Sequence, residues 1–127
     1  MKLTAKQIEA IVSLPGPKRY QHFIKIVADV EEVWGLYQNG WALAETEDGT
    51  QVFPLWPAKE YAELCAKGEW SDYEARPFSL DELINDLLPS LKDDRVLAGV
   101  FYTPSDNGLT PEIEKFAEDI INELEKY

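Results

Sequence analysis

The sequence predicts an α+β fold whose second half is α/β-like. It would contain a single mixed β-sheet with helices on both faces: an antiparallel three-strand meander followed by β-α-β-α-β, an N-terminal helix pair and a C-terminal helix. Three observations lead there. Asn39-Gly40 and Asp48-Gly49 separate short aromatic-rich runs, and both dipeptides supply the positive φ angles of tight hairpins. The connections 58–72 and 79–95 each exceed the dozen residues that a parallel crossover needs. Amphipathic helical stripes occupy both ends of the chain.

Thr4 and Gln7 have capping-box spacing, and Ile8, Ile11 and Val12 form one stripe, so the first helix is expected from Thr4 to Ser13. Leu14-Pro15-Gly16-Pro17 ends it. Tyr20, Phe23, Ile24, Val27 and Ala28 share a face of a second helix, Pro17 to Asp29, with His22 on the opposite, solvent-facing side. Strands follow at Val33–Tyr37, Trp41–Ala44 and Gln51–Trp56, giving the meander. Glu45, Glu47 and Asp48 lie near the second turn, but the twelve-residue pattern of a calcium loop is missing and a solvated turn is the reading.

Gln51 to Ala66 is the densest strand-to-helix signal, punctuated by Pro54 and by Pro57, the latter placed where a proline can open a helix. Lys67-Gly68 closes that helix. Cys65, on its apolar side, reads as a small core residue rather than a nucleophile. The segment from Trp70 to Phe78 passes through a loop into a fourth strand limited by Pro77. Ser79 and Glu82 then cap a helix carrying Leu80, Leu83, Ile84, Leu87, Leu88 and Leu91, which Pro89 should disturb. Arg95–Tyr102 is apolar on both faces, as an interior strand must be. After a polar loop from Thr103 to Leu109, Thr110-Pro111 opens a last helix through Leu124.

A chain of 127 residues suits one domain, 1–127, which should bury roughly two thirds of its unfolded surface. One cysteine rules out an intramolecular disulfide and any site built on several thiolates, and no cofactor is expected. The first fourteen residues, MKLTAKQIEAIVSL, hold no long apolar run or small-residue cleavage site, and no segment reaches the roughly 20 apolar residues of a membrane span. The expected location is the cytoplasm.

The net charge of −12 disfavours nucleic acid and anionic membranes as partners. The charge is also uneven: residues 1–26 carry Lys2, Lys6, Lys18, Arg19 and Lys25 against Glu9, a net of +4, which leaves −16 elsewhere. A basic helical pair lying on an acidic body is the simplest arrangement. Adjacent carboxylates such as Asp81-Glu82, Asp93-Asp94 and Glu118-Asp119 lack the apolar surroundings that would raise a pKa for acid catalysis, and read as solvated faces.

Four segments carry a family resemblance: GWALAETEDG at Gly40–Gly49, FPLWPAKEYAELCA at Phe53–Ala66, PFSLDELI at Pro77–Ile84 and VLAGVFYTP at Val96–Pro104. Through them the chain resembles a bacterial family catalogued as domain of unknown function 2750, which brings no activity with it. A weaker similarity is to the N-terminal domain of SseB-like secretion-associated proteins, through Phe53–Leu64 and Pro77–Leu83. The glycine-rich ending expected after the last strand of that domain is replaced here by Thr103-Pro104-Ser105-Asp106-Asn107-Gly108.

Parallel third, fourth and fifth strands would bring their carboxyl ends to one edge, where open α/β sheets place ligands. Trp56, Lys59, Ser79, Tyr102, Thr103, Ser105 and Asp106 would gather there. Capping and turn chemistry account for the same residue types, and the glycine-rich loop of a phosphate site is absent. Core packing is the first reading of the four tryptophans, Trp34, Trp41, Trp56 and Trp70, but so small a domain can hardly bury all of them wholly, and an exposed indole would mark a protein or peptide interface. The function expected is therefore non-enzymatic binding of another protein, a basic one, in the manner of an adaptor or immunity protein. The alternative is a small-molecule binder or enzyme at the strand-end edge, with Trp56, Tyr102 and Asp106 in a pocket.

Overall fold

The computed structural model describes residues 3–126; Lys2 of the basic segment lies outside them. The chain opens with α1 (Ala5–Val12) and α2 (Gly16–Val30). Thr4 and Gln7 form the expected reciprocal capping box, the Gln7 amide donating to Thr4 Oγ1 at 3.1 Å and the Thr4 amide to Gln7 Oε1 at 2.9 Å. α2 buries Phe23, Ile24, Val27 and Ala28 against the core. Its C-terminal amide at Glu31 donates to Val27 O as the chain turns through a left-handed residue into a strand.

Five strands follow: β1 (Glu32–Tyr37), β2 (Ala44–Glu45), β3 (Gln51–Leu55), β4 (Glu74–Ser79) and β5 (Leu97–Val100). They form two small sheets rather than the single sheet expected. β1 pairs with β4 in one, and the other has the order β2-β3-β5. β2–β3 is antiparallel across the Asp48-Gly49 turn, and β3–β5 is parallel. One bridge joins the sheets, with mutual Trp34–Trp56 backbone bonds of 2.9 Å.

Pro54 explains the break. The Trp56 amide donates toward β1 and the Leu55 carbonyl accepts from Phe101 beyond β5, so the even-numbered residues of β3 present their backbone to the β2/β1 edge. Pro54 lies on that edge between the Val52–Ala44 pair and the Trp56–Trp34 bridge, and it has no N–H to give. The ladder is interrupted there.

β4 is the second correction. It runs antiparallel to β1, from Glu32↔Ser79 to Tyr37↔Glu74, and does not lie parallel to β3 or β5. Its Glu74, Arg76 and Pro77 are exposed. An interior parallel strand would have to bury both faces, whereas an edge strand tolerates charge and proline. The Asn39-Gly40 turn produces only a hairpin stub, Tyr37↔Trp41, because on the same edge of β1 the next backbone position, Trp34, is already paired with Trp56 at the end of β3.

α3 (Lys59–Leu64) follows β3, a single 3-10 turn spans Gly68–Trp70, and Ser79 caps α4 (Leu80–Glu82) by accepting from the Glu82 amide at 3.0 Å. The helix then widens into a π turn over Leu83–Leu87 before α5 (Leu88–Asp93). Pro89 has no N–H for Asn85 O, and its ring crowds that carbonyl, so the expected disturbance takes this form. α6 (Ile113–Leu124) packs on α2 through Phe116 and Ile120. It starts later than Thr110 because Leu109 is still paired with Val100, at 2.8 and 3.2 Å.

Candidate functional site

The parallel pair β3–β5 does create a strand-end edge, and the residues beyond it shape a groove of about 660 Å³. Phe101 ends β5 at a φ of 66°, a conformation uncommon for a bulky residue, and Tyr102 lines the groove just beyond that turn. Trp70, Leu64, Cys65 and Thr103 line the groove with it, under a mixed rim of Lys67, Glu69 and Glu45. The Trp70 and Tyr102 rings stand 6.5 Å apart.

Trp56 lies at the base of this region rather than in the groove. It is 0% exposed, its Nε1 donates to Tyr102 O at 2.9 Å, and its ring meets Trp70 edge-on at 6.4 Å. Cys65 is buried beside it, with Sγ 3.5 Å from the same carbonyl. Burial pushes its thiol up to about 11, against the smaller opposing pull of the Trp56 indole and Lys67. Too little thiolate forms near neutrality for a nucleophile. Cys65 in the folded protein should therefore react with a disulfide reagent at pH 8 much more slowly than in urea, as thiol release followed over time would show.

Asp106 is also drawn away from the groove. Its carboxylate accepts from Arg19 Nη2 at 2.8 Å, while Arg19 Nη1 donates to Leu14 O at 2.8 Å. Arg19 is 3% exposed against 57% for Asp106, and Arg19 Nε is buried with no partner among the described residues. The sequence counts Arg19 only among the cations of a basic helical pair lying on an acidic body. The signal for its burial was its spacing, four residues before Phe23 and eight before Val27 on the apolar stripe. The pair ties α2 to the loop after β5, and Thr103 and Asp106 close that loop on each other, with the Thr103 amide 2.8 Å from Asp106 O.

Asp106→Ala should cost about 1–2 kcal/mol, a buried-pair loss discounted because the carboxylate is more than half exposed. The double variant with Arg19→Met should lose less than the sum of the two single losses, since the stranded charge goes with its partner. Urea midpoints of the four proteins check both expectations.

The remaining predicted site residues scatter. Lys59 lies in a separate hollow with Glu63, Tyr73 and Glu74. Ser79 is a helix cap at the end of β4, on the other sheet, and Ser105 sits exposed at the tip of the loop. Trp34 is half-buried and held by its backbone pairing with Trp56. Trp41 belongs to a second concavity, a notch of about 260 Å³ that it shares with Phe78, Glu82, Asp86, Leu87 and Ser90. The pocket expected to contain Trp56, Tyr102 and Asp106 thus keeps only Tyr102.

His22 departs from its expected solvent-facing place. It is half-buried, 6.4 Å from the Phe101 ring, and burial together with Lys25 lowers its pKa. Tyr20 donates to Asp119 at 2.6 Å, and burial, reinforced by this bond, raises its pKa. Among the described residues no group of three or more His, Cys, Asp and Glu side chains could hold a metal, and no helix is long and apolar enough to cross a membrane.

The model of one protein family, described as "Protein of unknown function (DUF2750)", matches residues 20–120. The chain belongs to this family. The match runs from α2 through most of α6, so both sheets, the groove and the notch are features of a DUF2750 domain. No curated protein and no solved structure matches the chain.

Proposed function

We propose that this DUF2750 protein acts by binding another protein, one with a basic surface, and performs no chemistry of its own. The observation that carries the reading is how few of its acids are used internally. Of 24 acidic residues, only Asp106, Glu114, Asp119 and Glu123 enter ion pairs among the described residues. From the basic N-terminal segment, only Arg19 does so. The excess of carboxylates therefore faces water, a field that steers and holds a cationic partner. Half-buried indoles at Trp41 and Trp70 supply the apolar anchors that such an interface needs. A cytoplasmic adaptor, of the immunity or secretion-associated kind, is the concrete form of this reading.

The test is affinity capture from extracts of the organism that makes the protein. A basic protein should be retained at low ionic strength and released at about 0.5 M salt, where screening acts over a few ångströms. Recovery of no partner, or of one indifferent to salt, would count against the proposal.

The groove of Trp70 and Tyr102 favours a second reading, a small-molecule site at the strand ends. It requires a compound that quenches Trp70 emission saturably in the native protein and not in Trp70→Phe.

A further inference from the structure

The notch at Trp41 lies away from the strand-end edge, on the face of the β1–β4 sheet. β1 brings Gly35 opposite Arg76, and Val33 opposite Phe78, on that face. Trp41 lies across Gly35, where a Cβ atom would come within 2.9 Å of the indole. Phe78, at 5.4 Å, Tyr37, at 5.2 Å, and Phe53, at 5.7 Å, hold the ring on its other sides. The indole is thus fixed before anything binds, yet it still lines an open concavity.

The other wall is the helical stretch after β4. Glu82 stands at the end of α4, and Asp86 and Leu87 belong to the π turn that Pro89 imposes; such turns recur at functional sites. Among the described residues no basic one lines the notch. Glu82 is held only by a 3.3 Å contact with the Ser79 hydroxyl, and Asp86 takes part in none of the ion pairs among the described residues. Residues 80–94 carry Asp81, Glu82, Asp86, Asp93 and Asp94 against Lys92, a net of −4. Lys92 is occupied by Glu114.

An aromatic floor under two carboxylates is the chemistry that takes a cation, which gains from the ring quadrupole and from the acids together. The same aromatic cluster already holds one guanidinium from its own chain, as Arg76 stacks 3.8 Å from the centre of the Tyr37 ring. A volume of about 260 Å³ is below the range of about 300–1,000 Å³ usual for small-molecule sites and suits one long side chain.

We infer that the notch formed by Trp41, Phe78, Glu82 and Asp86 is the point where this protein receives a cationic side chain of its protein partner, arginine by preference. Arginine fits better than lysine because its planar guanidinium can stack on the indole while its N–H fork meets both carboxylates. The inference rests on the reading of a basic protein partner and adds where and how that partner is gripped.

The experiment is a nuclear magnetic resonance titration of the full chain with acetyl-Gly-Arg-Gly-amide, using the norleucine and lysine analogues as controls. The expected result is a saturable shift of the Trp41 indole N–H, assigned with Trp41→Phe, with the Trp70 indole unmoved. The arginine peptide should bind more tightly than the lysine peptide, and the norleucine peptide should leave the resonance in place. Glu82→Gln/Asp86→Asn, both at exposed positions, should weaken binding about tenfold without altering the rest of the spectrum. Shifts spread over all acidic faces, equal response to norleucine, or unchanged affinity in the double variant would overturn the inference. If a captured basic partner binds wild type and double variant equally, the notch is wrong and the basic partner stands. If no partner exists but the titration succeeds, the broader reading fails instead.

Discussion

Trp56→Ala is expected to leave the protein at the edge of unfolding at room temperature. The side chain is 0% exposed and fills the space between β3, the 3-10 turn and the chain after β5. Emptying it should cost about 3–5 kcal/mol from lost burial and the cavity left behind. The Tyr102 carbonyl, left with only the weak Cys65 thiol as donor, adds about 1 kcal/mol. A domain of this kind has about 5–15 kcal/mol in total, so little or nothing remains. Trp56→Phe keeps most of the volume and loses the hydrogen bond, so it should stay folded with a loss of about 1–2 kcal/mol. Urea denaturation followed by far-ultraviolet circular dichroism separates the two, and equal midpoints would remove Trp56 from the centre of the core.

Gly108→Ala should come close to that effect for a different reason. A Cβ at this position would sit 2.2 Å from Val100 O and 2.6 Å from Val100 C, against backbone that cannot swing aside as a side chain can. The segment must lift, and with it go the two Val100–Leu109 bonds. Overpacking and the lost bonds together should cost about 3 kcal/mol. The loosening should be local, so amide exchange at Val100 and Leu109 should accelerate more than exchange within α2. A midpoint within error of wild type would mean that the loop does not press on β5.

Local signals were legible wherever one side chain settles one piece of backbone. Thr4 with Gln7, Ser79 with Glu82 and Asp48-Gly49 all act within a few residues, and each is in the structure as expected; the last helix buries Phe116 and Ile120 as expected but leaves Ile121, expected inside, exposed. Pairing was legible only in part: β2–β3 is antiparallel and β3–β5 parallel as expected, but the place of the fourth strand depends on competition between distant strands. β4 is short, charged and broken by Pro77, so it takes an edge beside β1 instead of an interior place. Pro54 was visible as punctuation, but its effect follows only from knowing which edge its nitrogen faces.

The candidate site divides in the same way. Tyr102, Thr103 and Trp70 do meet, because they flank the carboxyl end of the one parallel pair. Ser79 was assigned to that edge through a parallel fourth strand that does not form, and Lys59, assigned through the helix after β3, lies instead in a separate hollow. Asp106 was assigned correctly to the loop but is claimed by Arg19, a long-range partner 87 positions away. The Trp41 notch needed Gly35, Phe78 and the π turn brought together from three separate segments.

The most direct measurement of the central claim is the dissociation constant of the basic partner across a salt series, by isothermal titration with wild type and Glu82→Gln/Asp86→Asn. Binding through an acidic surface gives an affinity that falls steadily as salt rises, and the double variant should bind more weakly and with a shallower salt dependence. An affinity that does not change with salt, in wild type and variant alike, would contradict an acidic binding surface.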